Sequence, residues 1–157
     1  MIVTLTEAVA IREQARKDGR PVALANGAFD LLHVGHLRYL RGAKELVRPY
    51  GLLIAGVNSD SSVQESKGPK RPIVPEAERA ELVAGLACVD LVVVFSEKTA
   101  EALIEALRPD FHAKGTDYTP ETVPERELVA RLGGQTVITG DPKDHSTTAT
   151  AARLGDA

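Results

Sequence analysis

The chain has 157 residues, a length typical of one domain, and we predict a single domain over residues 1–157. Its formal net charge is −3, which argues against a nucleic-acid-binding protein because such domains usually carry a basic excess. The lone cysteine, Cys88, rules out an intramolecular disulfide. Since no apolar run is long enough to span a membrane and the N-terminus lacks the signal-peptide pattern, we expect a cytoplasmic protein without nucleic-acid or membrane partners.

The first predicted element is a leading helix within residues 1–20. Thr4-x-x-Glu7 is a capping-box pattern, and Gly19 stands where the helix should end. A short apolar run at residues 22–25 then predicts a buried strand. Directly after it, apolar residues at helical spacing predict a second helix: Leu37, Leu40, Ala43 and Val47.

Two histidines lie at the junction between this strand and the second helix. His33 and His36 are three positions apart around Gly35, so both imidazoles can face the same pocket. The N-terminus of a helix gathers free amides and the positive end of the helix dipole, which together favour an anion. The junction therefore predicts a phosphate-binding site.

Two other interpretations of the histidine pair compete with phosphate binding. A zinc site needs three or four ligands, and the remaining candidates, His112, His145 and Cys88, lie far along the chain. We therefore predict no metal site. The other alternative is that one or both histidines are only hydrogen-bonded polar residues near a helix start, which is less favoured because two of the four histidines flank one glycine.

Strands and helices keep alternating along the rest of the chain. The predicted elements are a strand at 52–57, a basic loop at 67–72, a helix at 75–85, a strand at 91–95, a helix at 99–107, a strand at 110–114, a helix at 125–132, a strand at 135–139 and a closing helix from about Thr147. Apolar, β-branched strands separated by helices predict a Rossmann-like, doubly wound α/β fold with a five-stranded parallel sheet. Ligands bind such sheets at the carboxyl ends of the strands, where the candidate residues fall.

Two motifs resemble those of a known family, the cytidylyltransferase-like nucleotidyltransferases. They are Gly27-x-Phe29-Asp30-x-x-His33-x-Gly35-His36 and, near the C-terminus, Ser146-Thr147-Thr148. Within this superfamily the chain is most similar to the adenylyltransferases of ADP-heptose synthesis. That similarity rests on the leading helix, Asn58-Ser59-Asp60, Lys67-Gly68-x-x-Arg71-Pro72, Glu78-Arg79 and Lys114-Gly115-Thr116-Asp117-Tyr118.

The resemblance implies transfer of AMP from ATP to D-glycero-β-D-manno-heptose 1-phosphate, with release of pyrophosphate. It also implies Mg²⁺ accompanying the triphosphate and a homodimer. Many members of the family are fused to a sugar kinase, and since this sequence does not contain that half, we expect the kinase step to belong to another polypeptide. One alternative is a cytidylyltransferase acting on glycerol 3-phosphate or another small polyol or sugar phosphate. A second alternative is a nucleotide-binding module without catalytic activity.

The resemblance also assigns roles to individual residues. The predicted catalytic residues are His33, His36, Lys67 and Arg79. The predicted nucleotide-binding residues are Gly27, Ala28, Phe29, Gly35, Lys114, Gly115, Asp117, Ser146, Thr147 and Thr148. The predicted substrate-binding residues are Asp30, Asp60 and Lys44.

Each of these roles has a plain structural alternative. Lys44 can lie on the surface, and the 67–72 run can be a solvated basic turn. Arg79, on the apolar stripe of its helix, needs an anionic partner unless its side chain reaches solvent. Asp30 can brace the phosphate loop, which is the connection between the first strand and the second helix, and Asp60 can cap a turn.

The chain departs from the family pattern at three positions. Ala28 stands where cysteine or threonine is common, Thr116 replaces a second glycine, and His145 occupies the position of a small or aliphatic residue. None of these changes removes a predicted phosphate ligand. They bear on the choice of base and sugar, which pocket shape decides.

Overall fold

Helices and strands alternate along the chain as the sequence predicts. The computed structural model describes residues 1–142. The elements are α1 (Leu5–Lys17), β1 (Val22–Gly27), α2 (Val34–Glu45), β2 (Leu52–Asn58), α3 (Asp60–Lys67), α4 (Glu76–Ala84), β3 (Leu91–Phe95), α5 (Glu101–Leu107), β4 (Phe111–Lys114), a 3-10 turn at Pro120–Thr122, α6 (Arg126–Arg131) and β5 (Gln135–Ile138). The closing helix predicted from Thr147 lies outside the described residues.

The five strands form one parallel sheet in the order β3-β2-β1-β4-β5. From β1 the chain first adds strands on one side and then returns to add β4 and β5 on the other. The strand order therefore reverses between β1 and β4, and a crevice opens there at the carboxyl ends. The predicted Rossmann-like parallel sheet is confirmed.

Apolar side chains cover both faces of the sheet, because successive strand residues point to opposite sides. On one face, Ala23 and Ala25 of β1 pack in a cluster with α2 and α4. On the other face, Val22 and Leu24 pack in a cluster with α1, α5 and α6. Burial on both faces explains why the strands read as continuous apolar runs.

The first helix begins and ends where its sequence signals stand. The Thr4 hydroxyl accepts a hydrogen bond from the Glu7 amide at 3.2 Å, and the Glu7 carboxylate accepts one from the Thr4 amide at 2.8 Å. Gly19 follows the helix with a φ of 67°, a conformation that glycine adopts without steric cost. The predicted capping box is confirmed.

Two details of the helices differ from the predictions. Helix α3 was not predicted, although Ser59 caps it by accepting a hydrogen bond from the Ser62 amide at 3.2 Å. Its eight residues are mostly polar, so they lack the apolar periodicity that marks a helix in the sequence. Pro75 is the N-cap of α4 and not its first helical residue.

No helix within residues 1–142 has the length and apolar character needed to cross a membrane.

Candidate functional site

A cleft of about 570 Å³ opens at the carboxyl ends of the strands. The turns after β1, β4 and β5 line it, together with the first turn of α2 and the segment that leads into α5. The predicted site residues that line the cleft are Gly27, Phe29, His33, Gly35, His36, Lys67, Lys114, Gly115 and Asp117. The fold thus brings together residues that are up to 90 positions apart, from Gly27 to Asp117.

The two histidines stack on each other at the start of α2. Their ring centroids are 3.9 Å apart with an interplanar angle of 24°. His33 is the N-cap residue, and its backbone amide donates to Nδ1 of His36 over 3.4 Å. Because Nδ1 of His36 accepts this bond, the ring proton of the neutral imidazole belongs on Nε2. The predicted placement of both imidazoles in one cleft is confirmed.

His36 is uncharged near neutral pH. Burial, and to a lesser extent the nearby His33 and Lys67, lower its pKa to about 4. Its neutral ring therefore meets a ligand as an N–H donor. Positive charge in the cleft therefore comes from its lysines and Arg38 rather than from this imidazole.

The Phe29 side chain packs against His36. It has a φ of 47°, which is uncommon for a bulky residue, and its ring is only 3% exposed. The ring makes an edge contact with His36 at a centroid distance of 5.3 Å. The ring also lies beside Gly27, where an added Cβ would be 3.4 Å from it, in ordinary van der Waals contact. The Phe29 side chain therefore positions His36.

Tyr39 ties helix α2 to the centre of the sheet. Its hydroxyl donates to the Ala113 carbonyl at 2.8 Å and accepts from the Asn26 amide at 3.2 Å. The side chain is buried, and burial raises its pKa, so the hydroxyl keeps its proton. These bonds join α2 to β1 and β4 across the switch point, which fixes the first turn of α2 relative to the strand ends.

Lys114 stands at the end of β4 and is held by two neighbours. Its Nζ lies 3.7 Å from Oε2 of Glu125 and 4.8 Å from the centroid of the Tyr118 ring. Only 8% of the residue is exposed. A lysine held in this way offers the cleft a positive charge in a defined place.

Asp30 does not lie on the cleft, so the substrate-binding role predicted for it is wrong. Its carboxylate is buried and accepts hydrogen bonds from the Ile73 amide at 2.7 Å and the Val74 amide at 3.0 Å. It also forms an ion pair with Arg71. The alternative interpretation holds, because Asp30 braces the loop before α4 against the phosphate loop.

Arg79 is also placed differently from its predicted role as a phosphate ligand. Its side chain is fully buried, and Nε donates to the Val74 carbonyl at 2.8 Å. Nη1 donates to the carbonyls of Ala28 and Asn58, and Nη2 contacts Asp60 at 2.7 Å. The anionic partner that its position demanded is therefore Asp60, and neither residue lines the cleft in which the predicted phosphate and substrate contacts would lie. The carbonyl of Ala28 is occupied by the same guanidinium.

Lys44 lies at the opposite edge of the sheet. Its Nζ donates to Asp90 at 2.6 Å and to the Gly51 carbonyl at 2.9 Å. Both partners precede strands, so they mark the amino ends and not the carboxyl ends. The substrate-binding role predicted for Lys44 is wrong. Lys44 lies two helical turns beyond His36, and its side chain reaches the amino ends of the strands, away from the cleft.

The described residues do not form a cage for a metal ion. Within residues 1–142 there is no group of three or more His, Cys, Asp or Glu side chains arranged to hold one. The second predicted motif, Ser146 to Thr148, and His145 lie outside the described residues.

Residues 24–151 match the family model described as Cytidylyltransferase-like. The chain belongs to this family. The resemblance predicted from the two-histidine motif is thereby confirmed.

Several relatives of this cytidylyltransferase-like chain carry one name. "Bifunctional protein HldE" of Syntrophotalea carbinolica is 47% identical over 146 residues, which are 93% of this chain and 29% of that protein. The protein of the same name from Geobacter metallireducens is 45% identical over 148 residues, 94% of this chain and 29% of its own length. The chain therefore spans less than a third of these relatives.

A solved structure resembles the chain as well. The lipopolysaccharide core biosynthesis protein from Thermoplasma volcanium is 28% identical, with a TM-score of 0.66. The match covers 80% of this chain and all of that protein. Its fold agrees with the parallel sheet described above.

Sequence reasoning missed several residues that line the cytidylyltransferase-like cleft. Asn26 is the penultimate residue of β1, Asn58 is the last residue of β2, and Lys98 and Glu101 lie just before and at the start of α5. Arg38, one helical turn beyond Gly35, reaches Asp141 at 2.7 Å beside the cleft. Asn26, Asn58 and Lys98 lie at or just beyond the carboxyl ends of strands, and that position is the signal that could have identified them.

Proposed function

We propose that the protein is a nucleotidyltransferase that transfers AMP from ATP to a heptose 1-phosphate, releasing pyrophosphate and giving an ADP-heptose. The observation that carries this proposal is the stacked His33–His36 pair at the N-terminus of α2, inside a cleft that Lys67 and Lys114 also line. The heptose rests on the resemblance to the adenylyltransferases of ADP-heptose synthesis. The relatives named HldE and the solved lipopolysaccharide core biosynthesis protein support that choice.

The reaction requires an oxygen of the acceptor phosphate to attack the α-phosphorus of ATP. A new P–O bond forms, the bond between the α-phosphorus and the bridging oxygen breaks, and its electron pair leaves with pyrophosphate. Both reactants are anions, so the protein's task is to position them and offset the developing charge. No side chain needs to act as a nucleophile.

The described residues suit that task. The neutral His36 ring offers Nε2–H to a phosphoryl oxygen, and the amides in the first turn of α2 add further donors. The side chains of Lys67 and Lys114 supply positive charge from two sides of the cleft. These donors stand in place before the reaction, which is the arrangement that stabilises a transition state most effectively.

We propose Mg²⁺ as part of the nucleotide substrate. Besides imidazole and ammonium groups, which bind phosphate oxygens, four acidic residues line the cleft: Glu101, Asp117, Glu125 and Asp141. Mg²⁺ is commonly held by substrate phosphates, water and one or two carboxylates, so we expect it to enter the cleft with the nucleotide.

Three further predictions belong to this proposal. The acceptor's phosphate must be supplied by a kinase reaction. The sequence resemblance predicts a homodimer. A substrate set of ATP and a sugar phosphate suits a cytoplasmic enzyme.

Pyrophosphate release tests the proposal directly. The protein is assayed with ATP or CTP against heptose 1-phosphate, other sugar 1-phosphates and glycerol 3-phosphate. We expect turnover with ATP and heptose 1-phosphate. Turnover with CTP alone would support the cytidylyltransferase alternative, and ATP binding without pyrophosphate from any acceptor would support the non-catalytic module.

A further inference from the structure

An unusual polar residue lies in the interior of the sheet below the cleft. His112 occupies β4, pairs in register with Leu24 of β1 and Thr136 of β5, and is completely buried. Phe111 and Ala113 pack with the core on one face of the sheet, so His112 points to the other face. A buried imidazole costs free energy unless its hydrogen bonds are made, so its partner identifies what it does there.

The partner of His112 is a residue of the cleft. Nε2 of His112 lies 2.9 Å from Oδ1 of Asn26, at the end of β1. Asn26 lines the cleft and is half-buried. Within residues 1–142, no protein group is bonded to its side-chain nitrogen, Nδ2. The buried histidine thus holds one end of an amide whose other end is available to a ligand.

The direction of this hydrogen bond follows from the other ring nitrogen. Nδ1 of His112 is buried and has no hydrogen-bond partner within the described residues. If Nδ1 carried the proton, a buried N–H donor would be left without an acceptor, which is rarer and more costly than an unused lone pair. The proton therefore belongs on Nε2, which donates to Oδ1 of Asn26. That bond directs Nδ2–H of Asn26 away from His112.

The His112 ring also keeps this state over a wide pH range. Burial, and to a lesser extent the charge on Lys114, lower its pKa to about 3. The ring is therefore neutral under assay conditions and keeps one donor and one acceptor.

We propose that His112 is a positioning residue that holds the Asn26 amide with its Nδ2–H directed at a phosphoryl oxygen of a bound substrate. The inference rests on the proposed nucleotidyl transfer, since it assigns a donor to that reaction. Asn26 lies beside Gly27, the first residue of the two-histidine motif. Ala25 pairs with Ala113, and the next residues on these two neighbouring strands are Asn26 and Lys114, which both line the cleft. An amide donor between a phosphate loop and a lysine suits an anionic oxygen.

Three variants test the assignment by steady-state kinetics. His112→Leu fills similar volume but frees the Asn26 amide, and we expect kcat/KM to fall about tenfold because an oriented donor is lost. His112→Gln keeps a donor and should recover part of that loss. Asn26→Asp replaces the donor by a negative charge and should cost more than His112→Leu. Ile54→Val is the matched control, because Ile54 is buried, pairs with Leu24 in the same row and does not line the cleft.

The pattern of the constants separates the two phosphates. A rise in KM for ATP alone assigns the contact to the nucleotide, a rise for the sugar phosphate alone assigns it to the acceptor, and a fall in kcat alone assigns it to the transition state. A merely structural His112 would lower the melting temperature without changing these constants. Wild-type constants in folded His112→Leu, or no recovery in His112→Gln, would overturn the proposal.

A measurement on the resting protein keeps the inference distinct from the proposed function. In ¹⁵N NMR spectra of the full chain, His112 should show a proton on Nε2 and none on Nδ1. A proton on Nδ1 would overturn the positioning role even in an active enzyme. If the expected tautomer is found and the wild type releases no pyrophosphate, the proposed function fails while the arrangement of His112 and Asn26 stands.

Discussion

At the scale of a single residue, His36 offers the cleft one hydrogen-bond donor. With Nδ1 accepting from the His33 amide and a pKa of about 4, the ring offers a neutral Nε2–H to the cleft. A donor that is already held in place needs little reorganisation during the reaction. It can therefore stabilise the charge that develops on a phosphoryl oxygen. The chemistry expected of His36 is therefore hydrogen bonding and not proton transfer from an imidazolium.

Substitutions at His36 distinguish these two roles. His36→Ala should lower kcat by at least about 100-fold, because a preorganised donor to the transition state is lost. His36→Gln keeps an uncharged N–H donor and should retain more activity than the alanine variant. Single-turnover kinetics measure both, and thermal melts check that the fold is intact. Equal activity in the two variants would contradict the neutral-donor role.

Lys67 acts on the cleft and on His36 together. Because its charge helps to lower the pKa of His36, Lys67→Ala should raise that pKa, measured by NMR titration. Loss of a charged contact to phosphate should also raise KM for ATP, by roughly tenfold. Lys70→Ala is the control, since Lys70 carries the same charge nearby without lining the cleft. If the two variants changed the pKa of His36 and KM for ATP equally, these quantities would depend only on net charge and not on a contact made by Lys67.

At the scale of elements, helix α4 is joined to the phosphate loop by one guanidinium. Arg79 binds carbonyls before α4, after β1 and at the end of β2, and pairs with Asp60 at the start of α3. One buried side chain therefore sets the relative positions of four segments around the cleft. This arrangement explains why a charged residue stands on the apolar stripe of α4.

Loss of Arg79 should be seen first in stability. Arg79→Met leaves three carbonyls and a carboxylate without their donor, so we expect the free energy of unfolding to fall by about 3 kcal/mol or more. Urea unfolding measures the change. Glu78→Ala, one position away but exposed, should change stability by less than about 0.5 kcal/mol. A fully stable Arg79→Met protein with weaker ATP binding would restore the phosphate-ligand interpretation.

The sequence predicted the elements better than the partners of individual charges. Apolar runs located the five strands that lie within residues 1–142, because burial on both faces of the sheet leaves a continuous apolar signal. Apolar patterning did not find α3, whose polar residues carry no such signal. Nor did it separate His33 and His36, which reach the cleft, from Lys44 and Arg79, which do not, because that difference depends on which strand edge or loop faces each side chain in the folded chain.

At the scale of the whole molecule, the fold collects positive groups on a chain of net charge −3. The strand order places the ends of β1, β4 and β5 side by side, and the cleft draws its lysines from separate segments. Binding of anions therefore depends on local placement and not on the overall charge. The same burial that shapes the cleft suppresses the charge of two histidines.

Those two histidines couple the stability of the whole molecule to pH. The pKa values of His36 and His112 are lowered to about 4 and about 3, from 6.5 in the unfolded chain. Between pH 6.5 and these values the unfolded chain binds more protons than the folded one. The free energy of unfolding should therefore fall as pH decreases through this window, by up to about 1.4 kcal/mol per pH unit for each histidine.

His112→Leu isolates one of the two contributions. The variant lacks the buried imidazole, so its free energy of unfolding should decrease less steeply than that of the wild type between pH 6.5 and pH 4, as measured by urea unfolding across the range. Above pH 6.5 the two slopes should agree, because His112 is then neutral in both folded and unfolded chains. Carboxylates titrate in both proteins and cancel in the difference. Parallel curves throughout the window would mean that His112 gains its proton as readily in the folded protein as in the unfolded chain, contrary to its burial.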